Sequence, residues 1–431
     1  MWSFFSESRV RQLSVLWSSL LIIGLFVTDY IRSLPSVGVA GLFLTGIGYS
    51  LNCKCIAQRA RWPYVLSFGL IYVLHAATGL WHTSLSDAAL RQDLVLQLPF
   101  LLLPVAFLLL PDWLALHKHF LWLVLIGSCL IAAVISTTNY LKNYDYINQI
   151  YLESKVMPTH PDHIRFSLLI TIAALSGTVM FFSEAISKRL RVLTSVGVLL
   201  LFLFQHLLAV RSGLVTLYAA GAIWLVWQGW QLKQWKAMLL SLVLAGTLFG
   251  ACMLVFPTLQ NKIINTQADT EKINSVEAAN NYSVTGRVYS YRAAWAIIHQ
   301  HPLAGVSKIK LADTMAEQYK YMFPEIGSEH YLLPHNQFIF NLAAYGIVGL
   351  VVFLVGFYYP IWESLGTGNI LQVLMYAIIT ISFLVEYTLE SQVGVLIGLF
   401  FILLAGAPVA AKSPGAALAH LASPGPAISG H

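Results

Sequence analysis

Long apolar runs alternate with short polar connections along almost the whole chain. A helix needs about 17–25 mainly apolar residues to cross the hydrocarbon core of a bilayer. Segments of that kind lie near residues 12–29, 34–51, 63–81, 94–110, 120–138, 166–183, 192–210, 213–230, 237–256, 338–358, 370–387 and 393–410. The pattern predicts an all-α integral membrane protein with about twelve transmembrane helices, the fourth kinked by Pro99 and Pro104.

One polar connection is much longer than the others and separates the ninth predicted span from the tenth. We therefore divide the chain into residues 1–256 with spans 1–9, a helical external loop at 257–336, and residues 337–411 with spans 10–12. The tail at 412–431 is rich in Ala, Pro, Gly and Ser, which predicts disorder.

Two helices are predicted inside the long loop. The first would follow Thr285 as its N-cap and carry Arg287, Tyr291, Ala294, Trp295 and Ile298 at helical spacing. The second would run from Ser307 to Met322, with Leu311, Met315, Tyr319 and Met322 on one face. We expect both helices to lie over the membrane domain as a lid or wall.

Composition and charge agree with a membrane protein. The 431 residues are 58% hydrophobic and 10% charged, with a mean hydropathy of +0.71. Basic residues in short loops are retained in the cytoplasm, and they cluster on the side of the N-terminus, which predicts cytoplasmic termini and an external 257–336 loop. The net charge of +6 is mostly this topological signal and gives no reason to expect a nucleic-acid partner.

The four cysteines, Cys53, Cys55, Cys129 and Cys252, fall in predicted cytoplasmic or membrane stretches, so we expect them to be unpaired. Their spacing fits no zinc site. The first apolar segment lacks a small-residue cleavage site and is interpreted as a retained span.

Arg211 interrupts an otherwise nearly continuous apolar stretch from residue 192 to 230. A charge deep in a bilayer costs about 2.5–3.5 kcal/mol on insertion scales, so it needs a partner, an aqueous cavity or a function. Two interpretations remain open. Either Arg211, Ser212 and Gly213 form a turn at the membrane surface, or the guanidinium faces a cavity and binds an anion such as a lipid diphosphate.

Arg287 and His335 are further candidates. Arg287 follows a predicted helix start whose amides would help to bind an anion, although it also fits a solvated helix face. His335 closes the long loop, on the same side as Arg211, where a neutral imidazole would accept a proton. Asn336 would orient that ring, bind a sugar or cap the tenth span. His163 and Arg165 are weaker candidates at the same surface, for which a structural role is the alternative.

Several signatures are absent from the sequence, namely a Walker loop, a Rossmann glycine motif, an HExxH zinc motif and an external DxD pair. Their absence argues against a soluble nucleotide substrate and gives no reason to expect a metal or another cofactor.

Three stretches together resemble the O-antigen ligase and O-antigen polymerase superfamily of bacterial membrane glycosyltransferases. They are "VRSG" at 210–213, "TGRVYSYRAAWAIIHQHPLAGV" at 285–306 and "PHNQFIFNLAAYGIVGL" at 334–350. In the last one, ten residues separate His335 from Gly346, a spacing associated with ligases. One departure is Val215, where the ligase pattern often has leucine.

The resemblance implies a GT-C-like enzyme that needs no metal and acts at the periplasmic face of the Gram-negative inner membrane. It implies an undecaprenyl-diphosphate-linked O-antigen as donor and lipid A-core as acceptor. His335, Arg211 and Arg287 would be catalytic, and Asn336, Arg165, His163 and Ser212 would bind substrate. The alternatives are an O-antigen polymerase, which uses the same donor, and a polysaccharide-lipid flippase or transporter.

Overall fold

The computed structural model describes residues 5–153, 155–183 and 186–410, and this part of the chain is helical, without a β-strand. The α-helices are α1 (Glu7–Gly24), α2 (Leu34–Cys53), α3 (Trp62–Leu66), α4 (Gly69–His82), α5 (Ala88–Gln97), α6 (Pro99–Leu109), α7 (Ala115–Lys142), α8 (Tyr144–Leu152), α9 (His163–Phe181), α10 (Lys188–Leu208), α11 (Arg211–Leu232), α12 (Trp235–Val255), α13 (Pro257–Glu271), α14 (Ser283–Gln300), α15 (Lys308–Met322), α16 (Gln337–Tyr358), α17 (Ile361–Thr367), α18 (Ile370–Phe383) and α19 (Gln392–Gly406). The predicted tail at 412–431 lies outside the described residues.

Seven helical segments in the described chain are long and apolar enough to cross a membrane, and an eighth results if a pair bent by 42°, Arg59–Leu66 with Gly69–His82, counts as one span. Two shorter apolar helices, α18 and α19, fall below this length. The protein is therefore a helical membrane protein. The count of twelve spans stays a prediction.

The fourth predicted span corresponds to α5 and α6, which meet at Leu98 and together form one apolar segment, Ala88–Leu109. Pro99 opens α6, where its missing N–H would have no helical partner in any case. Pro104 lies inside α6. The kink itself stays a prediction.

The long polar loop is largely helical, as predicted. Helix α15 has Leu311, Met315 and Tyr319 buried on one face, in agreement with the prediction, whereas Met322 is 36% exposed. The predicted N-cap of α14 was wrong, because this helix begins at Ser283 and not after Thr285. The Thr285 hydroxyl instead donates to the Asp269 carboxylate of α13, which ties the two helices together.

A backbone-to-backbone contact joins the end of the long loop to α16. Helix α16 is interrupted at Gly346, which has φ 63°, and the nearby loop residue Gly305 has φ 65°. The Ser307 N–H donates to the Ala344 carbonyl at 2.8 Å, and the Ile347 N–H donates to the Pro302 carbonyl at 2.9 Å. Both glycines are required at this contact, because a Cβ on either would lie within about 2.5 Å of backbone atoms of the other segment. The "HPLAG" segment is thus fixed directly onto a membrane helix.

The helices pack in a lateral order that separates two flanks of the bundle. On one flank α11 packs on α12, and on its other side α11 contacts α9 and α18. Helix α18 then packs on α19, α19 on α6, and α6 on α2. Helix α19 is the most central, since most of its side chains are buried. Any groove beside α12 is therefore separated from a groove beside α2 by the core helices α9, α18 and α19.

The expectation of unpaired cysteines was wrong for one pair, since Cys53 and Cys55 are joined by a disulfide. Lys54 between them adopts a left-handed conformation with φ 52° at the end of α2, and this turn brings the two Cα atoms to 5.3 Å. Cys129 and Cys252 are unpaired and buried.

Candidate functional site

Arg211 is the first residue of α11, and its side chain contacts the long loop at 257–336. The backbone reaches it through Ala209 in a left-handed conformation, and Gly213 packs so closely on Ser167 and Gln205 that a Cβ there would clash. The guanidinium donates to the Thr266 hydroxyl at 3.1 Å and to the Ser283 hydroxyl at 2.7 Å. The predicted turn at Arg211, Ser212 and Gly213 was wrong, because these residues form the first turn of α11. The side chain of Arg211 is held by the loop helices α13 and α14.

The start of α14 is fixed by one buried carboxylate. Asp269 accepts from the Val284 N–H at 2.7 Å and from the Thr285 N–H at 2.9 Å, so it satisfies two amides that have no partner within the helix. A negative charge at a helix N-terminus is also favoured by the helix dipole. This anchor sets the position of Arg287, which lies one turn further along α14.

His335 and Glu386 form a hydrogen-bonded pair. Nδ1 of His335 lies 3.1 Å from Oε2 of Glu386, and the Tyr291 hydroxyl donates to the His335 carbonyl at 2.8 Å. The ring of Tyr387 packs edge-on against the imidazole, with ring centroids 4.9 Å apart. With Nδ1–H donated to the carboxylate, Nε2 is the nitrogen left to accept a proton.

Arg287 completes this group, because its guanidinium lies 3.9 Å from the same Oε2 of Glu386. Burial raises the pKa of the Glu386 carboxyl, but the hydrogen bond and charge of His335, with Arg287 and Arg165, outweigh it and hold this pKa below its usual value of 4.5. The carboxylate is therefore ionised at neutral pH although its side chain is only 6% exposed.

Glu386 was not among the site residues predicted from the sequence, because it fell inside the eleventh predicted span, which ended at residue 387. Helix α18 ends at Phe383, and residues 384–391 form an irregular connection that turns the carboxylate toward the His335 side of the bundle. The sequence did contain one indication of its role, namely a carboxylate near the end of an apolar segment. An ionised group in the hydrocarbon core would need a partner, so such a residue is a candidate for a functional site.

An apolar groove lies beside Arg211, in a cavity of about 580 Å³ between α11, α12 and α13. Its surface is almost entirely apolar, and Arg211 and Lys262 are the two charged residues that border it. The other lining residues are Ala209, Leu214, Val215, Tyr218, Gly246, Phe249, Leu259, Ile263, Thr266 and Gln267. Burial lowers the pKa of Lys262 to about 8, with further lowering by the charges of Arg211 and Arg287 and opposition from Asp269. Three cations thus act on one another at the end of an apolar groove.

Asn336 serves as the N-cap of α16. Its side-chain oxygen accepts from the N–H groups of Phe338 and Ile339, and its amide donates to the Leu384 carbonyl at 3.1 Å. The capping role predicted as one alternative is confirmed, and a role in sugar binding stays a prediction. Ser212 follows Arg211 in the first turn of α11 and is half-buried, so its role in binding also stays a prediction.

Arg165 and His163 lie in the first turn of α9, beside the site. Arg165 donates through Nε to the Ser391 hydroxyl at 2.9 Å and pairs with Asp162 at 2.9 Å. His163 interacts electrostatically with Lys262 and Glu386. The structure places both close to the predicted catalytic residues, and the contacts of Arg165 fit the structural alternative.

A buried ionic network anchors the connection that carries Glu386. Lys308 at the start of α15 forms ion pairs with Asp93 and Glu390, and the Asp93 carboxylate lies 2.8 Å from Nδ1 of His75. Burial alone would lower the pKa of Lys308, but the two carboxylates outweigh it and raise that pKa. The network ties α15, α5 and the 384–391 connection together. Its member in that connection, Glu390, lies four residues after Glu386 in the chain.

Among the described residues, no group of three or more His, Cys, Asp or Glu side chains is arranged to hold a metal ion.

Residues 196–354 match the sequence model of the family described as O-antigen ligase, whose members are glycosyltransferase-like enzymes. No curated protein matches the chain. The matched segment holds Arg211, Arg287 and His335 but ends before Glu386. This match supports the assignment of the chain to the O-antigen ligase family.

Proposed function

We propose that the protein is an O-antigen ligase that transfers O-antigen from undecaprenyl diphosphate to a sugar hydroxyl of lipid A-core. The observation that carries this proposal is the His335–Glu386 pair beside a cluster of buried cations, at the end of an apolar groove. The arrangement combines a proton acceptor, an anion site and a path for a lipid tail.

The apolar groove and the cations at its end suit the donor. Guanidinium groups bind phosphate oxygens with two parallel hydrogen bonds, so Arg211 and Arg287, with Lys262, would hold the diphosphate. The polyprenyl chain would lie along the apolar wall between α11 and α12. Charge builds up on the diphosphate as it leaves, and preorganised cations stabilise it most in the transition state.

The proposed reaction is a single displacement that inverts the anomeric carbon and needs no metal. The acceptor oxygen forms a bond to that carbon while the bond to the diphosphate breaks, and the bonding electron pair leaves with undecaprenyl diphosphate. Nε2 of His335 takes the hydroxyl proton, and Glu386 orients the ring and stabilises the imidazolium. General-base help contributes about 100- to 10,000-fold.

We further propose that the site faces the periplasm from the bacterial inner membrane, with both termini in the cytoplasm. This orientation follows the predicted bias of basic residues and places the reacting groups of two lipids at one membrane surface.

The test is transfer by the purified protein in detergent with EDTA, using undecaprenyl-diphosphate O-antigen and lipid A-core, with products resolved on a gel. A lipid A-core ladder that is absent in His335→Ala is the expected result. Unchanged transfer in that variant would remove the histidine from the mechanism.

An O-antigen polymerase is the second candidate, because the matched family segment does not distinguish the two acceptors. Longer diphosphate-linked chains with unmodified lipid A-core in the same assay would establish it. Movement of the intact donor across a liposome membrane, with no product formed, would instead indicate a flippase.

A further inference from the structure

A second large groove lies on the opposite flank of the bundle, between α2, α5, α6 and α19. Its volume is about 980 Å³, compared with about 580 Å³ for the apolar groove beside Arg211. Helices α9, α18 and α19 separate the two grooves. A molecule in this second groove would therefore not occupy the proposed donor path.

The side chains along this groove change from basic and polar to apolar. At one end are Arg32, Ser33, Ser36, Arg91, Gln92 and Gln392, at the beginnings of α2, α5 and α19. Further along are Val39 on α2, Val95 and Leu96 on α5, Leu102 on α6 and Leu396 on α19. From Arg91 to Leu102 the helical rise corresponds to about 16 Å, which is enough for a lipid headgroup followed by the first part of its acyl chains.

The polar end carries two arginines, of which Arg91 also interacts electrostatically with Asp87, the N-cap residue of α5. Arg32 is exposed and has no ion pair among the described residues, and no acidic side chain lines the groove. Arg91 is oriented by donating to the Leu85 and Ser86 carbonyls at 3.1 Å and 2.7 Å. The two arginines match the phosphate groups of a phosphorylated, acylated lipid, and the apolar part of the groove matches its acyl chains.

The polar end of the groove adjoins the candidate site. Gln392 donates to the Arg32 carbonyl and to the Ser36 hydroxyl, and so links α19 to α2 at the mouth. The preceding residue, Ser391, accepts from Arg165, which acts electrostatically on Glu386. A headgroup on Arg32 and Arg91 would therefore have its attached sugars on the side of His335.

We propose that this groove binds the phosphorylated, multiply acylated anchor of the acceptor, the lipid A part of lipid A-core. The inference rests on the proposed function, because a transfer between two lipids needs two lipid paths that converge on one site. The anchor phosphates would bind Arg32 and Arg91, the acyl chains would lie along Val39, Leu96 and Leu102, and the core sugars would extend toward His335.

The experiment measures binding of bisphosphorylated lipid A to the full chain in detergent by native mass spectrometry, with no donor present. The comparison ligands are phosphatase-treated lipid A with the same acyl chains, and phosphatidylglycerol. Because hydrogen bonds to charged groups are strong, the Arg32→Gln/Arg91→Gln variant should bind bisphosphorylated lipid A about tenfold or more weakly. It should bind the dephosphorylated form with unchanged affinity.

A matched control removes two exposed positive charges elsewhere, in Lys233→Gln/Lys236→Gln, and should keep full affinity. A second variant, Ala40→Trp, fills the groove from an exposed lining position and should weaken both forms of lipid A. Unchanged affinity in both groove variants would overturn the proposal. Equal affinity for phosphatidylglycerol and lipid A would also overturn it and indicate a general phospholipid site.

Failure of this proposal and failure of the proposed function can be told apart. Because binding is measured without turnover, unchanged lipid A affinity in the variants leaves the transferase proposal intact. Absence of transfer in the wild type, with lipid A binding that depends on both arginines, would remove the ligase reaction and keep the lipid site.

Discussion

His335 Nδ1 and Glu386 Oε2 lie 3.1 Å apart, although 51 positions separate the two residues in the chain. The same carboxylate oxygen is 3.9 Å from the Arg287 guanidinium. One buried anion therefore connects the histidine to one of the cations that we assign to the leaving group. This relationship leads to the first two predictions.

Replacement of Glu386 by Gln should reduce the transfer rate and leave the fold intact. Gln keeps the size of the side chain and loses its charge, so the imidazolium is no longer stabilised. Since hydrogen bonds to charged groups are worth about 1.5–3 kcal/mol, we expect a loss of about 10- to 100-fold, smaller than the loss in His335→Ala. Single-turnover rates with saturating donor measure it. A rate equal to that of the wild type would show that the carboxylate does not assist the histidine.

The Glu386 carboxylate should also make stability depend on pH. Its pKa is lower in the folded protein than the usual 4.5, so its contribution to stability is present above about pH 4.5 and is lost as the pH falls through the folded value. Thermal unfolding between pH 7 and pH 4 should therefore show a larger fall in Tm for the wild type than for Glu386→Gln. Equal falls would contradict this assignment.

Lys262 should make donor binding depend on pH above neutrality. Its pKa of about 8 means that the ammonium, which would attract the diphosphate, loses its proton as the pH rises from 7 to 9. The KM for the donor should increase over this range in the wild type. In Lys262→Arg, where the charge is permanent, the profile should be flatter. Parallel profiles for the two proteins would mean that Lys262 does not contact the donor.

Arg287→Lys tests whether geometry or charge alone binds the diphosphate. Lys keeps the positive charge but cannot form two parallel hydrogen bonds to phosphate, so the loss should be about tenfold or more in kcat/KM. Arg292→Lys, on the same helix, is the matched control, because that guanidinium packs over the Tyr289 ring. Undiminished activity of Arg287→Lys would favour simple charge attraction.

Gly346→Ala should destabilise the protein by more than about 1 kcal/mol, since alanine disfavours a positive φ. Its Cβ would also lie 2.2–2.5 Å from backbone atoms of Leu303 and Ala304, and backbone atoms cannot move aside as a flexible side chain can. Gly366→Ala is the control, because nothing lies within 4 Å of its Cβ position. Thermal unfolding in detergent compares the two. A Tm for Gly346→Ala as high as that of the control would contradict the account of the backbone contact.

Much of this architecture could be predicted from the local sequence. Apolar runs of sufficient length predict membrane helices, Pro99 fits the boundary between α5 and α6, and the spacing of Leu311, Met315 and Tyr319 predicts the buried face of α15. These features depend on side chains close together in the sequence, whose periodicity or missing N–H acts on the backbone locally.

The candidate site could be predicted only in part. The positions of Arg211 and His335 stand out because charged or titratable groups at the ends of apolar segments are rare. Arg287 was found through its motif, which together with the other two resembles a family. Asn336 shows which kind of contact could be predicted. Its role as an N-cap depends on backbone N–H groups two and three residues away and was predicted, whereas its hydrogen bond to the distant Leu384 carbonyl was not.

Only the tertiary structure decided which residues meet. The length of the apolar segments was enough to predict membrane helices from the sequence. It was not enough to predict that α18 ends at Phe383 and leaves Glu386 outside the helix. The pairing of His335 with Glu386, the contact of Lys308 with Asp93 and Glu390, and the two grooves on opposite flanks all join distant segments. Such contacts depend on how whole helices pack, and the free energy of burying an ion depends on a partner that no local pattern specifies.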